Sequence, residues 1–288
     1  LFLVPVILCV VMALVMKFTM LGRGLYAIGG DANAARIAGF NVRRLQFFAY
    51  IFCGVVAAFV LLMYIMVPFG SLFTLWGRDY SLSLKWFQYM FKTSGLKAFK
   101  DSFVLSLIAA PLTAFLSMVI SYLVVKKRFK GRNFIEFVSM LAMAVPGTVL
   151  GIGYIRGYAN GLFRSGFMSG LYGTGAILII VFIVRSLPTG TRSGISALRQ
   201  IDKSIEESAY DMGANSARVF MTVTLPLIKD SFFSGLVTAF VRSITAISAI
   251  ILLVTPDFLL ITCQINEQAE KGNYGVACAY ATVLIIIT

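Results

Sequence analysis

The sequence contains no histidine, and only 13% of its 288 residues are charged. Without histidine the chain lacks both the commonest general base and the commonest metal ligand. No GxxxxGK[ST] run occurs, so it holds no phosphate-cradling loop of its own. The Gly-x-Gly at 151–153 lies inside an apolar run rather than after a soluble strand, and is not a dinucleotide site. Cysteine is sparse: Cys9, Cys53, Cys263 and Cys278 form no CxxC pair and sit in or beside apolar runs. Buried free thiols are the default for that pattern, and nothing supports a Cys263–Cys278 bridge. No initiator methionine is present, and the chain ends within the apolar run 283–288, so both ends read as cut.

Apolar sequence is what is plentiful. Hydrophobic residues make up 59% of the chain, mean hydropathy is +0.89, and the apolar residues come in blocks. Several blocks reach the ~18 residues that cross a bilayer core of about 30 Å as a helix. Within lipid each backbone amide must be paired inside its own segment, so these blocks are expected to be helices. Seven apolar segments are expected, at about 1–16, 47–69, 103–125, 134–155, 172–187, 231–254 and 275–288. The formal net charge of +13 does not point to nucleic acid, because the basic residues cluster in short loops as the positive-inside rule requires.

The densest basic cluster, Lys126, Lys127, Arg128, Lys130 and Arg132, is expected in the cytoplasm. Alternation then places 17–46 and 188–230 inside, and 70–102, 156–171 and 255–274 outside. The stretch 70–102 resists this scheme, since it carries Arg78, Lys85, Lys92, Lys97 and Lys100. Its aromatic residues, Trp76, Tyr80, Trp86, Phe87, Tyr89 and Phe91, suggest an amphipathic piece lying at the interface.

The loop 188–230 is the most informative. Ser204 and Glu207 have capping-box spacing, which predicts a short helix starting there. Gly213 is placed to end that helix in a left-handed conformation. A second short helix is expected from about Ser216 to Leu225, with Pro226 interrupting the chain before the next span. Two short helices at an angle would make a rigid knob.

Glu207-Ser208-Ala209, three residues, Gly213, nine residues, then Val223-Thr-Leu225-Pro226, resembles the EAA loop of ABC importer permeases. The family pattern is Glu-Ala-Ala-x3-Gly-x9-Ile-x-Leu-Pro, so Ser208 and Val223 are mild departures. The resemblance implies that this loop, within 199–228, docks into a cleft of an ATPase subunit. Glu207 and Gly213 would be the docking residues. Leu75-Trp-Gly-Arg-Asp-Tyr-Ser-Leu82, Ala144-Val-Pro-Gly147 and Gln200-Ile-Asp-Lys-Ser-Ile-Glu-Glu207 resemble the second half of ferric iron permeases. Relatives of that group are described for thiosulfate, polyamines and aminoethylphosphonate. Residues 1–60 differ: Leu21-Gly-Arg-Gly24 through Gly39-Phe-Asn-Val42 is similar to the cytoplasmic loop (17–46) of ribose-type sugar permeases. In it Asn33-Ala34-Ala35-x3-Gly39 echoes the coupling spacing, which makes a second coupling-loop candidate.

The resemblances together imply an all-α polytopic transmembrane helical bundle of about six to seven spans. Residues 61–288 would form a type I (MetI-like) permease domain, recognisable from about residue 67 and truncated at its C-terminus. Residues 1–60 would be a partial ribose-type segment, joined by fusion near 60–67. The implied location is the bacterial cytoplasmic (inner) membrane. The implied partners are a separate ABC ATPase that binds the ATP, a periplasmic or lipid-anchored binding protein, a second permease half and the lipid bilayer. A secondary transporter would need paired ionisable residues in several spans, and a non-functional fused fragment is the remaining alternative. Arg242, expected near the middle of the span 231–254, follows Gly235 and Ala239 and precedes Ala246 and Ala249 on a small-residue stripe. It either lines the pathway or pairs structurally with a neighbouring helix. Arg185 is expected to snorkel to the cytoplasmic end. Pro146-Gly147 interrupts the fourth span, by lining a cavity or by loose packing.

Overall fold

A computed structural model describes residues 13, 14, 16–75, 77–127, 129–159 and 171–288. Cys9, Trp76, Arg128 and nearly all of the expected first span lie outside the described residues. The chain divides into two compact units, Leu1–Met66 and Val67–Thr288.

In the first unit Thr19 caps α1 (Met20–Gly30) by accepting a hydrogen bond from the Gly22 amide at 3.2 Å. α2 (Ala32–Ile37) follows, and the chain leaves the unit along α3 (Val42–Leu72). Ala35, Val42 and Leu45 are buried. The most apolar window of α3 has a mean hydropathy of 2.5, and none of it is buried.

The second unit opens with a hairpin, β1 (Phe73–Leu75) and β2 (Asp79–Leu82), pairing Phe73 with Leu82. The amphipathic piece expected in 70–102 is α4 (Lys85–Lys92), where Trp86 donates its indole N–H to the Phe73 carbonyl at 2.8 Å. There follow α5 (Gly95–Lys126), α6 (Arg132–Ala144), α7 (Gly147–Ala159), α8 (Gly175–Gln200), α9 (Lys203–Asp211) and α10 (Ser216–Val219). A π turn (Phe220–Thr224), α11 (Leu225–Ile244), α12 (Ile261–Glu270) and α13 (Tyr274–Ile287) complete it.

α5, α8 and α11 pack on one another. α5 and α8 run parallel, because Leu105 meets Gly175, Ser117 meets Gly190 and Ser121 meets Gly194. A Cβ on Gly190 would stand 2.4 Å from Ser117 Oγ, and one on Gly194 2.5 Å from Ser121 Oγ. Small residues four apart let the two backbones close, and Ser121 Oγ donates to the Thr191 carbonyl at 2.9 Å. α11 runs the other way, with Phe240 against Phe103 at one end and Ile228 clustered with Met118 and Leu198 at the other.

Two expected spans take a different form. Residues 134–155 are not one helix: α6 and α7 meet at 107° across Val145-Pro146. Proline removes an amide and clashes with the preceding turn, so the helix stops before it. The carbonyls freed at the end of α6 are taken by Arg185, whose guanidinium donates to Ala142 O at 3.2 Å and Val145 O at 3.4 Å. Arg185 therefore does not simply snorkel. The segment 231–254 is likewise not helical throughout. α11 stops at Ile244, and 248–253 are turns with Ala249, Ile250 and Leu253 buried in the core. Irregular backbone of this kind is tolerated at membrane depth when protein covers it. Among the described residues four helices are long and apolar enough to span a bilayer, five with the bent pair counted as one, while α13 is shorter than a span.

The end of the bundle away from the α5 C-terminus is latched. Asp101 accepts from the Leu259 amide at 3.1 Å, Ser102 Oγ from the Ile261 amide at 2.8 Å, and Lys97 donates to Pro256 O at 3.0 Å.

Candidate functional site

The knob between α8 and α11 is built from local hydrogen bonds. Its cap is Asp202 rather than Ser204: the Asp202 carboxylate accepts from the Ser204 amide at 3.0 Å, and α9 begins at Lys203. Asp202 wins because it lies one residue before the helix, where a carboxylate reaches the free amides of the first turn. Those bonds from Ser204 hold its carboxyl below the usual carboxylate range. At the other end Gly213 has φ +83°, its amide donates to Tyr210 O at 2.9 Å, and the Ala214 amide donates to Ala209 O at 3.1 Å. This pair of bonds is the Schellman closure, and the left-handed residue favours glycine. Asn215 then caps α10, accepting from the Arg218 amide at 2.9 Å.

The sequence-predicted residues divide by burial. Glu207 and Ser208 are exposed, with Ser208 Oγ donating to Ser204 O at 2.7 Å, while Ala209 is buried. Val223 lies in the π turn, and Leu225 and Pro226 start α11. Pro226 does not interrupt the chain, since the wider π turn before it absorbs the missing amide and helix continues from Phe220 to Ile244. The Phe220 ring stacks edge-on against Tyr122 of α5 at 4.8 Å, so the knob is anchored at the C-terminal ends of α5 and α8. Met212, 82% exposed at the knob's tip, is an apolar side chain that motif spacing did not single out.

In the first unit Asn33 and Ala34 are exposed and Ala35 is buried. Gly39 has φ +86°, its amide donating to Arg36 O and the Phe40 amide to Ala35 O, each at 3.1 Å. Arg242 is exposed in the last turn of α11, not mid-helix, so the small-residue stripe does not continue through Ala246 and Ala249. One residue on, Ser243 Oγ lies 3.5 Å from Ser186 Oγ, where α11 crosses α8. Among the described residues no group of three or more His, Cys, Asp and Glu side chains is placed to hold a metal ion.

A bundle of span-length apolar helices with a capped knob at one end defines an integral membrane protein. The same fold occurs in a solved bacterial ABC transporter involved in the import of the acidic polysaccharide alginate. The TM-score is 0.68 at 19% identity, covering 88% of this chain and 95% of that one. The chain belongs to the family of binding-protein-dependent transport system inner membrane components, whose model matches residues 102–288. A second model, branched-chain amino acid transport system / permease component, matches residues 1–75. A ferric transport system permease protein FbpB from Actinobacillus pleuropneumoniae is 36% identical over 247 residues, 84% of this chain and 35% of that protein. A putative ferric transport system permease protein FbpB 1 from Haemophilus influenzae is 39% identical over 203 residues, 69% of this chain and 31% of that protein. The chain thus spans about a third of the length of these relatives.

Proposed function

We propose that this chain is one membrane-spanning half of an ATP-driven importer in the bacterial inner membrane, with ferric iron as its cargo. A periplasmic binding protein delivers the cargo, a separate ATPase docks on the knob, and a second permease half completes the pathway. The observation that carries this is the knob itself. α9 is fixed at both ends by its own caps, so a push on Glu207 or Ser208 moves a rigid body rather than a loop. Ala209, Val223, Leu225 and Pro226 pass that movement to α11, and the Tyr122–Phe220 contact passes it to α5. The iron assignment is supported by the two ferric permeases above.

Arg242, exposed and beside the α8–α11 crossing, is the pathway candidate for an anionic or chelated cargo. Residues 1–60 are a ribose-type segment joined near 60–67, and Asn33, Ala34, Ala35 and Gly39 are a second docking element that does not serve this pathway. Iron-55 uptake in cells carrying the matching ATPase and binding protein tests the scheme. Gly213→Asp and Glu207→Arg are each expected to insert normally and to lower uptake to background. Normal uptake by either variant would sink the coupling role of the knob.

A further inference from the structure

Behind the knob lies a cavity of about 560 Å³. Its walls come from the end of α5, the start of α6, the end of α8 and the face of α9. Among the described residues, Lys126, Lys127, Arg132 and Arg199 line it, with the Glu207 carboxylate and the Tyr122 ring beside them. Lys127 Nζ sits 5.9 Å from the centre of that ring. Solvated positive-inside cations would be expected to splay apart into water, because like charges repel. Here all four border one concave space, Lys127 and Arg199 from its exposed rim. In addition Arg132 Nε is buried and has no hydrogen-bond partner among the described residues. A buried donor left unpaired is costly, and a guanidinium is shaped to meet two oxygens at once.

We propose that this cavity binds a phosphate group, presented by an anionic phospholipid of the inner leaflet. The cations provide charge-assisted hydrogen bonds to its oxygens. Val125, Leu198, Ile201 and Val219, also in the cavity lining, offer apolar surface to the first carbons of an acyl chain. Basic pockets between helices on the cytoplasmic side of a membrane are where such headgroups bind. A bound phosphate ties the ends of α5 and α8 to the start of α6, so the lipid stiffens the seat on which the knob bears. The cytoplasmic placement and the effect on coupling rest on the proposed function; the binding of phosphate does not.

Native mass spectrometry of the full chain in detergent tests this, with phosphatidylglycerol, phosphatidylcholine or inorganic phosphate added and no ATPase present. The wild type is expected to retain one phosphatidylglycerol and no phosphatidylcholine. The double variant Lys127→Gln/Arg199→Gln is expected to weaken retention at least tenfold. Lys229→Gln, an exposed cation of α11 outside the cavity, leaves it unchanged. Glu207→Gln removes the opposing carboxylate and is expected to strengthen retention several-fold, a gain that misfolding cannot imitate. Equal retention by wild type and double variant, or an equal loss in Lys229→Gln, overturns the site. Saturable binding of inorganic phosphate without lipid retention overturns the lipid as source and supports the phosphate site. Because the readout is binding, transport that survives Gly213→Asp would refute the coupling role and leave this result standing.

Discussion

The turn after α2 and the turn after α9 are made alike. Each helix is capped by an aspartate, Asp31 at 2.7 Å from the Asn33 amide and Asp202 at 3.0 Å from the Ser204 amide. Each ends on a left-handed glycine with a Schellman pair drawn from a buried alanine, Ala35 or Ala209. Two residues on, an asparagine caps the next helix through an arginine amide, Asn41 to Arg44 at 3.2 Å and Asn215 to Arg218 at 2.9 Å. Each turn also bears an exposed apolar side chain, Ile37 at 89% two residues before its glycine and Met212 at 82% one residue before. The spans tied to these knobs are not alike. The apolar window of α3 has no buried residue, whereas 44% of that of α5 and 39% of that of α8 are buried. A cap is settled among about a dozen neighbouring residues and forms in any surroundings. A packed span needs a complementary face supplied by distant sequence.

The sharpest way to break this comparison is to enlarge one glycine in each kind of span. Gly190→Leu drives a side chain into Ser117, and overpacking of that sort costs about 3 kcal/mol. In detergent the thermal midpoint should then fall by roughly 6–12 °C. Gly54→Leu on α3 meets nothing within 4 Å and should leave the midpoint unchanged. Similar losses from both variants would mean that α3 is packed in the working protein.

Smaller effects separate the two knobs. Asp202→Ala should speed amide hydrogen exchange several-fold across residues 204–208 and reduce iron uptake. Asp31→Ala should speed exchange across 33–37 and leave uptake alone; an equal loss of uptake would make the first knob part of the same pathway. The smallest effect is on pH. The Asp202 carboxyl is depressed by its bonds to Ser204, so its cap is fully present at neutral pH, above the ordinary carboxylate value. As pH falls below that value and through the depressed one, the stabilisation is lost. Protection from exchange across 204–208, taken relative to the intrinsic rate at each pH, should therefore fall only in that acid window, and a flat protection profile would remove Asp202 from the cap.

What was legible in the sequence follows the same division. The left-handed end at Gly213 was open to reading because its determinants lie within a few residues of one another. The long spans in α3, α5 and α8 were legible from hydropathy. The stop of α11 at Ile244 was not, since 245–254 is as apolar as a helix yet folds as turns covered by the core. Hydropathy reports burial and is silent about the backbone beneath it. Arg185 was misjudged for a related reason: its partners, the Ala142 and Val145 carbonyls, exist only once Pro146 has ended α6. The Gly190–Gly194 seam had a visible spacing of four, but its partner serines stand some seventy residues away, as the Ser121–Thr191 bond illustrates.

The π turn at Phe220–Thr224 also works as a phase setting. A π turn holds one residue more than an α turn, so everything after it is rotated by about 100° relative to an uninterrupted helix. In that phase the face of α11 that carries Ile228, Ala239 and Ser243 is buried. The nine-residue interval between Gly213 and Val223 is therefore an angular quantity as much as a length. Deleting one residue from 220–224 would preserve every hydrophobic side chain downstream and turn each of them to the wrong side.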